Sequence, residues 1–79
     1  MESIPIKVEC YSGYKADEYP KKFIWEEIDF EITEIIDRWY ESYEKPDYPS
    51  INYYKVKTRP TGTYLLRYEL DNDKWFLVV

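Results

Sequence analysis

The chain has no histidine, one cysteine and two glycines in 79 residues. Without histidine it lacks the commonest general base near neutral pH and the commonest transition-metal ligand, so a histidine-dependent triad is excluded. Cys10, standing alone, rules out an intramolecular disulfide and a cysteine-rich zinc site. Gly13 and Gly62 are isolated, whereas a phosphate-cradling loop needs several glycines close together. No apolar run approaches the length needed to span a bilayer, and Met1 to Pro5 lacks the basic and apolar regions of a signal peptide. A lone thiol suits a reducing compartment, and the cytoplasm is the expected location.

What the chain does have is aromatic surface and charge. Aromatic residues make up 20% of it, with ten tyrosines and three tryptophans, and charged residues 34%. The net charge of −5 is unevenly placed: residues 1–50 carry six Lys/Arg against thirteen Asp/Glu, and residues 51–79 carry five against three. The acidic total opposes avid nonspecific binding of nucleic acid, which depends on clustered cations, while leaving room for a local basic face near the C-terminus. The length supports one small domain, residues 1–79, with a single core.

Ile4, Ile6, Val8 and Cys10 alternate with polar or exposed types, the period of a half-buried strand. Ser12-Gly13 breaks it, and a polar loop follows to Pro20. Lys21 to Trp25 reads as a second strand with Phe23 and Trp25 on one side, and Glu26-Glu27-Ile28-Asp29 as a turn without glycine. Ile28, Ile32, Ile35, Ile36, Trp39, Tyr40 and Tyr43 fall on the stripe of an amphipathic helix, and Glu34 and Arg38 add an i,i+4 pair. Phe30-Glu31-Ile32-Thr33 alternates instead like a strand. On pattern alone the helix is the stronger of these two readings. Pro46 and Pro49 bracket a connector. Beyond it, Tyr54 and Val56, then Tyr64, Leu66, Tyr68 and Leu70, then Trp75, Leu77 and Val79 mark a three-stranded meander turning at Arg59-Pro60-Thr61-Gly62 and Asp71-Asn72-Asp73.

The run Val8-Glu9-Cys10-Tyr11-Ser12-Gly13-Tyr14-Lys15-Ala16-Asp17-Glu18, with Pro20, Phe23 and Ile35-Ile36-Asp37-Arg38-Trp39-Tyr40, resembles a small bacterial domain family of unknown function. So do Tyr53-Tyr54-Lys55-Val56, Gly62-Thr63-Tyr64-Leu65-Leu66-Arg67 and Lys74-Trp75-Phe76-Leu77. A related domain ends some inactive Y-family DNA-polymerase-like proteins of mutagenic repair. The resemblance covers most of the chain and implies a small, mainly β domain in which Ile35 to Trp39 is an extended, bent strand. It brings no catalytic residues. That family usually places Gly or Asn-Gly where Glu26-Glu27-Ile28-Asp29 stands here.

The expected fold is therefore all-β, about six antiparallel strands in a small barrel-like or strongly twisted sheet that buries Trp25, Trp39 and Trp75. The alternative is α+β, with residues 29–43 helical. Cys10 reads as a core residue, Ser12 as a turn serine, and Asp71-Asn72-Asp73 as a hairpin turn rather than a calcium loop. Glu26, Glu27, Asp29, Glu31, Glu34 and Asp37 read as a solvated acidic face, with Asp37 able to pair across the sheet with Arg67.

The surface expected to carry function is the outer side of the meander: Tyr53, Lys55, Lys57, Leu65 and Arg67, with Arg59 at the adjacent turn. Tyr14 contributes from a second patch with Tyr11, Lys15 and Tyr19. Tyr and Arg dominate protein interfaces, so a non-enzymatic module docking a protein partner is the leading reading. A DNA-repair accessory domain touching single-stranded nucleic acid is the alternative, because rings between cations also stack bases. A purely structural role is the third reading: the lysines guard the sheet against pairing and the tyrosines cover the core. No cofactor is expected. A homodimer would form by covering an open edge strand and surplus tyrosines.

Overall fold

The computed structural model describes residues 2–11, 19–42 and 50–79 of the chain. Six strands follow one another in sequence: β1 (Ser3–Cys10), β2 (Pro20–Trp25), β3 (Ile28–Glu41), β4 (Ile51–Arg59), β5 (Thr63–Glu69) and β6 (Lys74–Val78). Each pairs antiparallel with the next, and β6 returns to pair with β1, closing a barrel. At the seam, Glu2 and Val79 exchange both backbone hydrogen bonds, at 2.8 and 2.9 Å. The all-β expectation holds. The helical alternative fails, because Ile28–Glu41 is one continuous strand; Tyr43 lies outside the described residues.

β3 explains why a helix was the stronger pattern. Opposite β4 it carries two extra residues, Thr33 and Ile36, each skipped in the pairing as a β-bulge. A bulge stretches the two-residue side-chain period to three, so Phe30, Ile32, Ile35 and Arg38 share the inner side at spacings of two, three and three. Of the helical stripe only Ile32 and Ile35 pack on the core, while Ile28, Ile36, Trp39 and Tyr40 are exposed, so the stripe is a coincidence of apolar residues spread over the strand. The Thr33 hydroxyl donates to the Lys57 carbonyl at 3.1 Å, tying down the first bulge, and the Asp37 carboxylate accepts the Arg38 N–H at 2.8 Å just past the second.

The β2–β3 hairpin closes through Trp25 opposite Ile28, with only Glu26 and Glu27 between them. Both have left-handed backbone, φ 52° and 66°, the pattern of a two-residue type I′ turn whose twist matches the flanking strands. Asn-Gly would take this conformation at lower cost, and the hairpin register is the ordinary two-residue one nonetheless. At the β4–β5 turn the Thr58 hydroxyl donates to the Thr61 and Gly62 carbonyls, and Gly62 occupies φ 84°.

Strict alternation on β1, β4, β5 and β6 sends Ile4, Ile6, Val8, Tyr54, Val56, Leu66, Tyr68, Trp75 and Leu77 inward. Phe23, Tyr54, Val56, Leu66 and Leu77 are wholly enclosed. Phe23 stacks on Phe30 at 5.0 Å, with Tyr64 edge-on to both, while Trp75 lies against Tyr68 at 4.6 Å and Tyr54 at 5.5 Å. Cys10 packs, half-buried, against this core as expected. Trp39 does not. Strand parity places it on the opposite side from Phe30 and Ile32, and it is 37% exposed, whereas Trp75 is 8% exposed. Trp25 is half-buried.

The register is strongly staggered. β3 meets β2 only along Ile28–Glu31 but meets β4 from Glu31 to Glu41. Strands offset in this way tilt steeply to the barrel axis, so a row of side chains that crosses neighbouring strands runs along one side of the barrel rather than around it.

Candidate functional site: an aromatic row on the outer wall

The five Tyr, Lys and Arg residues singled out on the meander, Tyr53, Lys55, Lys57, Arg59 and Arg67, lie on β4 and β5 together with Leu65. Lys55, Lys57 and Arg59 are exposed, and Tyr53 and Arg67 are half-buried. Tyr14 and Lys15 lie outside the described residues. Their companions Tyr11 and Tyr19 are exposed, with the Lys21 ammonium 5.8 Å from the Tyr11 ring and the Arg38 guanidinium 5.8 Å from that of Tyr19.

The structure divides the five. Tyr53 lies opposite Trp39 on one side and Arg67 on the other, and Arg67 lies opposite Phe76, which in turn faces Pro5. The result is one outer row, Trp39–Tyr53–Arg67–Phe76–Pro5, crossing five strands. Trp39 and Tyr53 stack at 5.2 Å and 15°, and the Arg67 guanidinium lies 5.6 Å from the Phe76 ring centroid. Beside the row run Lys55, Leu65 and Val78, in register with one another. Arg67 is held in place: its Nη2 is 3.4 Å from Glu69 Oε2, and its Nε is enclosed without a hydrogen-bond partner among the described residues. It does not pair with Asp37. That carboxylate accepts the Arg38 N–H, and β4 stands between β3 and β5.

The other three cations belong to a different arrangement. Lys55 is opposite Asp37, Lys57 opposite Glu34, and Arg59 opposite Glu31. Three carboxylates of β3 thus lie alongside three cations of β4, opposite in sign along one ladder. Glu31 is also opposite Lys22, and Lys22 opposite Glu9, so Glu9–Lys22–Glu31–Arg59 alternates in sign across four strands. The Lys22 ammonium is 3.2 Å from Glu9 and 3.8 Å from Asp29. Hydrogen bonding to Glu9, then the charges of Glu9 and Asp29, raise its pKa above the ordinary lysine value. A groove of about 470 Å³ lined by Tyr11, Lys21, Lys22, Asp29, Glu31, Arg59 and Pro60 follows this ladder.

Trp39 and Phe76 are the members of the row that sequence reasoning missed. Phe76 was legible: it is out of phase with the inward Trp75 and Leu77 on an unbroken strand. Trp39 was hidden because it also falls on the helical stripe with Ile32 and Ile35. The Asp71-Asn72-Asp73 turn has structural work, with Asp71 accepting the Ser50 N–H at 3.1 Å and Asp73 the Tyr68 hydroxyl at 2.8 Å. No group of three or more Cys, Asp or Glu among the described residues is placed to hold a metal ion.

The fold and the row define a small closed antiparallel barrel with an aromatic–arginine outer wall. Comparison of the chain with family models, with curated proteins and with solved structures finds no match.

Proposed function

We propose that this chain is a non-enzymatic cytoplasmic interaction module that docks a protein partner on the outer row Trp39–Tyr53–Arg67–Phe76. The observation that carries the reading is the row itself. Three rings and a guanidinium, the residue types that concentrate binding energy at protein interfaces, stand side by side on the outside of a barrel whose core is already filled. The Trp39–Tyr53 stack and the Arg67–Phe76 contact keep these side chains ordered before binding, which lowers the entropic cost of association. The neighbouring cations of β4 face carboxylates of β3, which favours a protein surface over a phosphate backbone.

A photo-crosslinking residue at position 55, beside the row, tests this in living cells, with exposed position 24 on β2, the strand the row does not cross, as control. The expected result is a discrete protein adduct from position 55 that resists nuclease, is absent from position 24, and is lost with Tyr53→Ala. A nuclease-sensitive adduct would transfer the face to nucleic acid. No adduct from position 55 would overturn the proposal.

A further inference from the structure

The order of residues in the row allows it to bind itself. Taken across β3, β4, β5 and β6 the row reads Trp39, Tyr53, Arg67, Phe76, with one cation in an interior position. A second copy laid face to face reads along the first in the same or the reversed order. In the same order Arg67 meets Arg67, which costs like-charge repulsion at the centre of the contact. In the reversed order, about a two-fold axis parallel to the strands and midway between β4 and β5, Tyr53 meets Arg67 of the other copy twice and Trp39 meets Phe76 twice. Each pairing is favourable: a guanidinium on a phenol ring, and an aromatic on an aromatic. The axis also sets Lys55 against Leu65 and Asp37 against Val78, so no like charges meet in the flanking row.

We infer that a second copy of this chain occupies the row, related by that two-fold axis. The inference rests on the reading of the row as a docking surface and names its occupant. A two-fold contact is the commonest closed assembly, and self-complementarity is its requirement. The expected edge-strand route is unavailable at the ends of the sheet, since β1 and β6 pair with each other; the outer wall takes its place. Charge supplies an independent signature. Each copy carries −5, so the copies repel at long range, and added salt screens that repulsion. Association holds or tightens as salt rises, the opposite of binding to a polyanion.

Sedimentation equilibrium of the full chain at low and high salt measures it. The expected result is a monomer–dimer equilibrium not weakened by salt, loosened about 30-fold or more by either Tyr53→Ala or Phe76→Ala, each confirmed folded by circular dichroism. Ile24→Ala on β2, which the row does not cross, leaves it unchanged. The axis is tested with a short bis-maleimide in a Cys10→Ser background: Asp37→Cys chains mixed with Val78→Cys chains cross-link faster than either does alone. Equal rates for the mixture and the single variants would overturn the axis, and a dimer indifferent to both alanine variants would overturn the surface. A chain monomeric at every concentration, while position 55 still captures a different protein in cells, would end this inference and leave the proposed function standing. Monomer and no capture would end both.

Discussion

Leu66 tests the barrel most directly. It sits fully enclosed at the middle of β5, paired with Tyr54 on β4 and Leu77 on β6, both also fully enclosed. Leu66→Ala removes three methyl-sized groups from a place with no solvent to fill the gap, and buried Leu→Ala changes cost about 2.7–5 kcal/mol, the upper range applying where neighbours cannot collapse. Strands hydrogen-bonded on both sides have little freedom to move inward, so about 4 kcal/mol is expected. A domain of this size is typically stable by roughly 4–12 kcal/mol, so the change consumes a large share of the total. At about 4–8 °C per kcal/mol the midpoint falls by roughly 16–32 °C. Urea unfolding followed by tryptophan fluorescence is a suitable assay, because buried Trp75 reports on the same end of the core. Leu70→Ala, at a position 40% exposed in the β5–β6 turn, should cost under about 1 kcal/mol. A loss below about 1.5 kcal/mol at Leu66, or equal losses at the two leucines, would refute the inward assignment of β5.

Other outcomes are as specific. Replacing Glu26-Glu27 by Asn-Gly should stabilise the chain by about 1–2 kcal/mol in the same urea assay, because both glutamates occupy left-handed backbone that L side chains adopt at a cost. Gly62→Ala should destabilise it by about 1–2 kcal/mol, since φ is 84° and an added Cβ would lie 3.1 Å from the Tyr64 ring. Lys22 has a folded pKa raised above 10.5, so its contribution is complete below that value and is lost as pH rises through the folded pKa. Wild-type and Lys22→Met midpoints should therefore converge at strongly alkaline pH in a pH series of urea melts; a gap that widens there would contradict the Glu9 pairing.

Five of the six strands were legible because each obeys one simple period between recognisable turns. The inward sets of β1, β4, β5 and β6 and the outward Tyr53, Lys55 and Arg67 follow from alternation alone. β3 was not legible, and the reason is geometric. Thr33 and Ile36 are skipped in the pairing, so strict alternation breaks twice while core-packed and exposed apolar residues fall together on one helical stripe, and nothing in the residue types of Ile-Thr-Glu-Ile-Ile-Asp announces which of them is skipped. The same ambiguity sent Trp39 into the expected core. The basic face was read correctly by position but incompletely by electrostatics, since a strand's charges are known only when its neighbour's register is known. Here Asp37, Glu34 and Glu31 sit opposite Lys55, Lys57 and Arg59.

The seam between β1 and β6 makes closure the least local step of folding. Until Lys74–Val78 docks, the Ser3–Ile6 edge of β1 and the free edge of β5 both lack a strand partner, whereas every other pairing joins neighbours in sequence. Loss of β6 would open the wall on two sides at once and leave both edges free to pair with other chains.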